Sequence, residues 1–300
     1  MRVNGTIGAI GSLLAWVHGS LGAVSGISEI GLIDDTKIEL GHAALQLAAL
    51  DHPDTDLAPY EAQLETLTAE VAAVVKSAST AAKRAAALRA ILSDKHDFRG
   101  DSTTYDDSAN ADLISVIDRR RGLSVALAIL YVAIARRIGW QADVLNTPGH
   151  IVIALRCDGA TVIVDPFNSG RQLTPQALID LVKRAVGVRL AIKPDEWEPM
   201  QNRAVLVRLL NNQAVRAVEG GNLGRAITLY ERLTSIGPEM PQLWWERARI
   251  ELQLGMNEEA RSSLSAMLEI TTDANHREQI NRALEAIPRS PRGGRYGASD

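Results

Sequence analysis

The chain has 300 residues, 46% hydrophobic and 23% charged, with a formal net charge of -4. That balance suits one large soluble core or two smaller ones and excludes the strongly basic footprint of a nucleic-acid binder. A single cysteine, Cys157, excludes an internal disulfide framework and a thiolate zinc site, and makes a reducing, cytoplasmic setting the expected one.

Residues 1–36 read as a flexible leader, with an over-long gene start as the alternative for residues 1–26. The apolar stretch around Ile7 to Val17 is short and broken by glycine, a poor secretory signal, and no run in the chain approaches the roughly 20 apolar residues that span a bilayer. Helical spacing and strong helix formers then predict helices over Lys37–Leu50, Leu57–Ala78 and Ser79–Leu92. Pro53 and Pro59 punctuate the first gap, and Ser77, Ser79 and Thr80 mark the second as a cap region. A polar, turn-rich segment over 96–112 leads into a short helix from Asp112 to Asp118.

Ser124–Ile138 is apolar almost all round, which places it inside a domain. Arg136 and Arg137 suit its negative end, and Gly139 suits its stop. The stretches "WQADVLN", "HIVIALR" and "TVIVDPF" have strand character, the last two joined by a tight "CDGA" turn. A helix over Pro175–Val186 and a linker holding Pro194 and Pro199 close this part. The fold class is α+β: a helical N-terminal part, then a buried central helix packed on an antiparallel sheet.

From about Asn202 the chain repeats itself. Aligning "GGNLGRAITLYERLTSI" with "LGMNEEARSSLSAMLEI" sets Gly221 on Gly255, Ala226 on Ala260, Leu233 on Met267 and Ile236 on Ile270, all at one constant offset. That offset is the period of a tetratricopeptide repeat, about 34 residues. Residues 202–287 are expected to form such helices, with 288–300 as a disordered tail. Tyr230, Trp244 and Trp245 are either aromatic anchors for a protein partner or core filling.

Three polar residues interrupt apolar surroundings in a suggestive order. Ser124 opens the central helix, His150 starts a strand, and Asp165 ends the strand that returns. Nucleophile, base and orienting acid would follow triad logic. His150 and Asp165 stand almost equally far along the chain from Asp158 in the turn, so cross-strand neighbours at about 5 Å are expected. Each residue has a plainer reading beside this one. Ser124 could be a helix cap, His150 a hydrogen-bonded structural residue, and Asp165 a turn builder. Cys157 is excluded as the nucleophile, because a regular strand sets it roughly 20 Å from His150. Tyr105, Asp106 and Asn110 read as a pocket wall or, preferably, an Asx turn. Arg119, Arg120 and Arg121 read as an anion grip or, more commonly, an ion-paired face. His18, His42, His52, His96 and His276 are scattered, and "GGNLG" follows no strand, so neither a metal nor a cofactor is expected.

Taken together, Gly122-x-Ser124-x-x-x-Ala128, Gly149-His150 and Asp165-Pro166-Phe167 resemble the transglutaminase-like superfamily, in which Gly-x-Cys opens the central helix. Residues 37 to 285 resemble, more closely, the bacterial SirB-one family. The stretches that carry this are "YDDSANADLISVIDRRRGLSVALAILYVAIARRIGW", "TPGHIVIAL", "VDPFNSG" and "LWWERARIELQLG". The resemblance implies a transglutaminase-like domain over 37–195, N-terminal helices included, joined to the repeat tail. In enzymes of the superfamily the cysteine is the nucleophile, its pKa lowered by a helix N-terminus and a histidine. A serine there is far weaker. SirB-one members commonly carry proline at this position, and proline and serine share only their suitability for starting a helix. The implied function is a non-catalytic binding or regulatory protein with a protein partner on the repeat tail and neither nucleic acid nor membrane as partner; Ser124, His150 and Asp165 are then a vestigial triad. The alternative is a hydrolase or acyltransferase on amide or ester bonds using those three residues.

Overall fold

The computed structural model describes residues 27–75, 80–186 and 198–288. Within the sequence expectations, the leader up to residue 26, the cap residues Ser77 and Ser79, Pro194 and the tail from residue 289 lie outside the described residues. The chain divides into two compact units, one ending at Leu209 and one starting at Leu210.

The first unit is built around the helix Ser124–Arg137, in which every residue from Val125 to Ala135 is buried. That run carries no charge on any face, so no face can be given to water. It contacts the helices Leu40–Ala49 and Ala58–Val74 as well as the sheet. Its end follows the sequence: Gly139 takes φ +82°, its N–H reaches Arg136 O at 2.9 Å, and the Trp140 N–H reaches Ala135 O at 3.0 Å. These two bonds make a Schellman closure. Arg136 and Arg137 do more than complement the helix end. Arg136 donates to Ala142 O, Asn202 Oδ1 and Asp143 Oδ1; Arg137 bridges Glu39 and Glu61, each at 3.1 Å.

Two-residue strands β1 (Arg99–Gly100) and β2 (Arg121–Gly122) pair in parallel. The main sheet is antiparallel in the order β3 (Gln141–Thr147), β4 (His150–Cys157), β5 (Ala160–Asp165) and β6 (Arg171–Leu173). Asp158 and Gly159, at φ +49° and +79°, close Cys157 against Ala160, as the "CDGA" turn predicts. Strand β4 is buried along almost its whole length, because both of its faces are covered. Val152 and Ala154 pack with Leu145 and Leu178, the last from the helix Pro175–Val186, while the central helix also packs on β3 and β4.

Several boundaries move. The second expected helix ends at Val74; the third is α-helical over Ala81–Leu88 and continues as a π-helix to Lys95. Residues 27–36, assigned to the leader by sequence, belong to the folded unit. Residues 27–32 are helical, with Ile27 and Ile30 buried. The Asp35 carboxylate accepts from the backbone N–H groups of Asn202 and Arg203 at 2.8 Å each, and Arg203 donates to Ile30 O and Ile33 O. These partners stand at the opposite end of the unit's sequence and are invisible to a local reading.

The second unit comprises the end of the helix Asn202–Glu219 and the helices Leu223–Ile236, Pro241–Gln253, Asn257–Ile270 and Ala274–Ala286. Ala226 and Ala260, aligned by the repeat, are both fully buried, which lets neighbouring helices approach closely. The helix ends repeat as well. Gly221 and Gly255 sit at φ +71° and +75°. Asn222 N–H reaches Ala217 O and Met256 N–H reaches Glu251 O, both at 2.8 Å, so one Schellman closure recurs a full repeat later.

Candidate active site

His150 opens β4 directly after the Pro148-Gly149 turn. Gly149 takes φ +72°, and the Thr147 hydroxyl donates to His150 O at 2.8 Å, which pins the residue at the hairpin mouth. Its Nε2 lies 2.9 Å from Asp165 Oδ1. The two are not directly opposed. The ladder sets Ile153 opposite Val164, so His150 reaches diagonally across to Asp165.

Asp165 is 1% exposed and collects donors. Besides His150, the backbone N–H groups of Phe167 and Asn168 reach Oδ1 at 3.1 and 3.3 Å, and Asn168 Nδ2 reaches Oδ2 at 2.6 Å. Burial pushes this carboxyl up, but the hydrogen bond and charge of His150 and the Asn168 donors together outweigh it, and its pKa falls below the ordinary value. Asp165 is therefore an anion at neutral pH, and the His150 nitrogen facing it must carry the proton. That leaves Nδ1 as the ring nitrogen able to accept a proton from elsewhere.

Phe167 completes the setting, and sequence reasoning gave it no role beyond the Asp-Pro-Phe signature. Its ring meets His150 edge-on at 5.8 Å and Tyr105 at 6.1 Å. The ring has room because residue 100 is glycine: a Cβ there would stand 2.5 Å from the Phe167 ring atoms. Gly100 N–H also donates to Phe167 O at 2.9 Å. Tyr105 thus belongs to a wall beside His150. The turn expected nearby is built by Asp107, which accepts from Ala109 N–H, while buried Asn110 donates to Thr104 O at 2.6 Å.

Ser124 is the first residue of the central helix, half-buried. It is not the cap. Leu123 occupies that place with extended backbone and no side-chain cap bond; its N–H is held by Asn110 O at 2.8 Å. Among the described residues the Ser124 hydroxyl makes no hydrogen bond, to His150 or to any other group. So the structure joins His150 to Asp165 and leaves Ser124 unlinked to either.

The remaining candidates are engaged elsewhere. Arg119 pairs with Asp101 at 3.0 Å, Arg121 pairs with Asp97 at 2.9 Å, and Arg120 lies 4.6 Å over the Phe98 ring. Cys157 is buried at the far end of β4. No group of three potential metal ligands occurs among the described residues, and no described helix is long and apolar enough to cross a membrane. In the repeats Tyr230 is buried, Trp244 donates to Pro238 O at 2.8 Å, and Trp245 is 42% exposed.

Residues 58–211 match the transglutaminase-like superfamily and residues 213–285 the tetratricopeptide repeat. A UPF0162 protein of Xylella fastidiosa is 27% identical over 263 residues, covering 86% of this chain and 92% of its own. Another, from Vibrio cholerae, is 27% identical over 59% of this chain and 66% of its own. Human F-box only protein 21 is 26% identical over 57% of this chain but only 28% of its own.

Proposed function

The chain belongs to the transglutaminase-like superfamily and carries tetratricopeptide repeats after that domain, and from this premise we propose that it is a non-catalytic binding or regulatory protein of SirB-one type. The domain keeps an imidazole oriented by an ionised carboxylate, but a hydroxyl stands where superfamily enzymes place a thiol. The observation that carries the reading is the absence of any hydrogen bond from Ser124 to His150. A serine becomes a nucleophile at neutral pH through a base that takes its proton, and no direct bond to such a base is present here among the described residues. Repeats of this kind bind protein segments, so a protein partner on the tail and a cytoplasmic setting complete the proposal. Exposed Trp245 is the residue on the repeats best placed to anchor such a partner.

The intact His150–Asp165 pair favours a second reading: a hydrolase or acyltransferase on amide or ester bonds with Ser124 as nucleophile. Incubating the full chain with a fluorophosphonate and with an activated ester, then mapping adducts by mass spectrometry, separates the two. The binding-protein reading expects no adduct on Ser124 and no change in ester turnover on Ser124→Ala. An adduct on Ser124 that disappears in His150→Asn would establish the enzyme instead.

A further inference from the structure

Asp165 touches more than His150. It also lines a cavity of about 230 Å³ between the β5–β6 loop and the helix Pro175–Val186, together with Asn168 and the charged side chains of Arg171, Asp180 and Arg184. Leu173, Ala177 and Leu181 supply an apolar strip in the same cavity. Its volume is below the roughly 300–1,000 Å³ of pockets that take drug-sized ligands, so an occupant is correspondingly small.

The charges decide what kind of occupant fits. Among the described residues the guanidinium of neither Arg171 nor Arg184 has a hydrogen-bond or ion-pair partner. Asp180 accepts one hydrogen bond, from Gln176 Nε2 at 2.9 Å. Asp165 Oδ2 likewise accepts one, from Asn168, whereas Oδ1 is crowded by three donors. Each carboxylate therefore keeps acceptor capacity. A simple anion would gain two guanidinium partners but face two carboxylates; a simple cation would meet the reverse. A ligand carrying both charges close together offers each of the four groups an opposite charge.

We propose that this cavity binds a small zwitterion of the α-amino-acid class with an aliphatic side chain. Its carboxylate pairs with Arg171 and Arg184, its ammonium with Asp180 and Asp165, and its side chain lies on Leu173, Ala177 and Leu181. The site is independent of whether Ser124 reacts, but its occupancy would bear on His150 through their shared Asp165.

The test titrates the full-length protein with leucine, with isovalerate (no ammonium), with isopentylamine (no carboxylate) and with inorganic phosphate. Calorimetry gives affinity, and backbone amide shifts give location. Leucine is expected to shift amides within 168–184, and each half-ligand is expected to bind at least about tenfold more weakly. Arg171→Gln and Arg184→Gln, both at exposed positions, should each weaken leucine about tenfold with unchanged circular dichroism. Ser124→Ala should leave leucine binding unchanged. The proposal is overturned if leucine fails to bind up to its solubility limit, if isovalerate, isopentylamine or phosphate binds as tightly, if the shifts fall elsewhere, or if Ser124→Ala abolishes binding.

Discussion

At the scale of one side chain, Asp165 organises the candidate site. Four donors converge on a carboxylate that is 1% exposed, and each helps to keep a buried charge tolerable. Asp165→Asn keeps the shape but turns an amide N–H₂ against at least one existing donor. Leaving a buried donor without its acceptor costs roughly 2–4 kcal/mol in a site of this kind, an expectation read directly from the urea midpoint of the first unit. The His150–Asp165 pairing was legible in the sequence because strand period and turn position are local properties. The state of Ser124 was not. Whether a serine caps or merely begins a helix depends on where the backbone turns, and here Asn110 O fixes Leu123 from the far side of the preceding helix.

At the scale of elements, the segment after β1 is organised by Asp101. Hydrogen bonds from the Thr104 side chain and backbone come first; burial opposes them, and Thr103 and Arg119 add to them, leaving its pKa at about 2 against an ordinary 3.8. A carboxylate depressed in the folded state stabilises fully above its unfolded pKa and loses that contribution as pH falls through the folded value. The contribution, about 2 kcal/mol, should therefore be nearly complete above roughly pH 5 and be lost toward about pH 2. Asp101→Asn should flatten the acid limb of a stability-against-pH curve in that window. In the repeats, Gly221 and Gly255 share one closure, and a methyl group added at either would meet nothing within 4 Å, so an alanine faces only left-handed backbone strain. Gly221→Ala and Gly255→Ala should each cost about 1–2 kcal/mol, seen as matching losses of amide protection in the repeat helices. Long periodic helices, the "CDGA" hairpin and the repeat period were all legible. Strands β1, β2 and β6 were not, since two or three residues carry no period and pair only through distant neighbours. Phe167 escaped for the same reason: its place is set by Gly100, which lies before the central helix while Phe167 follows the sheet's third strand.

At the scale of the whole molecule, the match to 92% of the Xylella fastidiosa protein carries both units, while human F-box only protein 21 shares a stretch covering 28% of its own length. Cys157 is the chain's single cysteine, sealed at the end of β4 remote from His150; burial and its hydrogen bond to Asp158 push its thiol up. A thiol introduced elsewhere would therefore compete with a single, buried one. Ser124→Cys should be alkylated by iodoacetamide at neutral pH at least about tenfold faster than Cys157, because residue 124 opens the central helix, whose N-terminus favours thiolate, and is less buried than Cys157, with peptide mapping as the readout. Turnover of an activated thioester by that variant and not by the native chain would show that exchanging one oxygen for sulfur is enough to make this scaffold a catalyst.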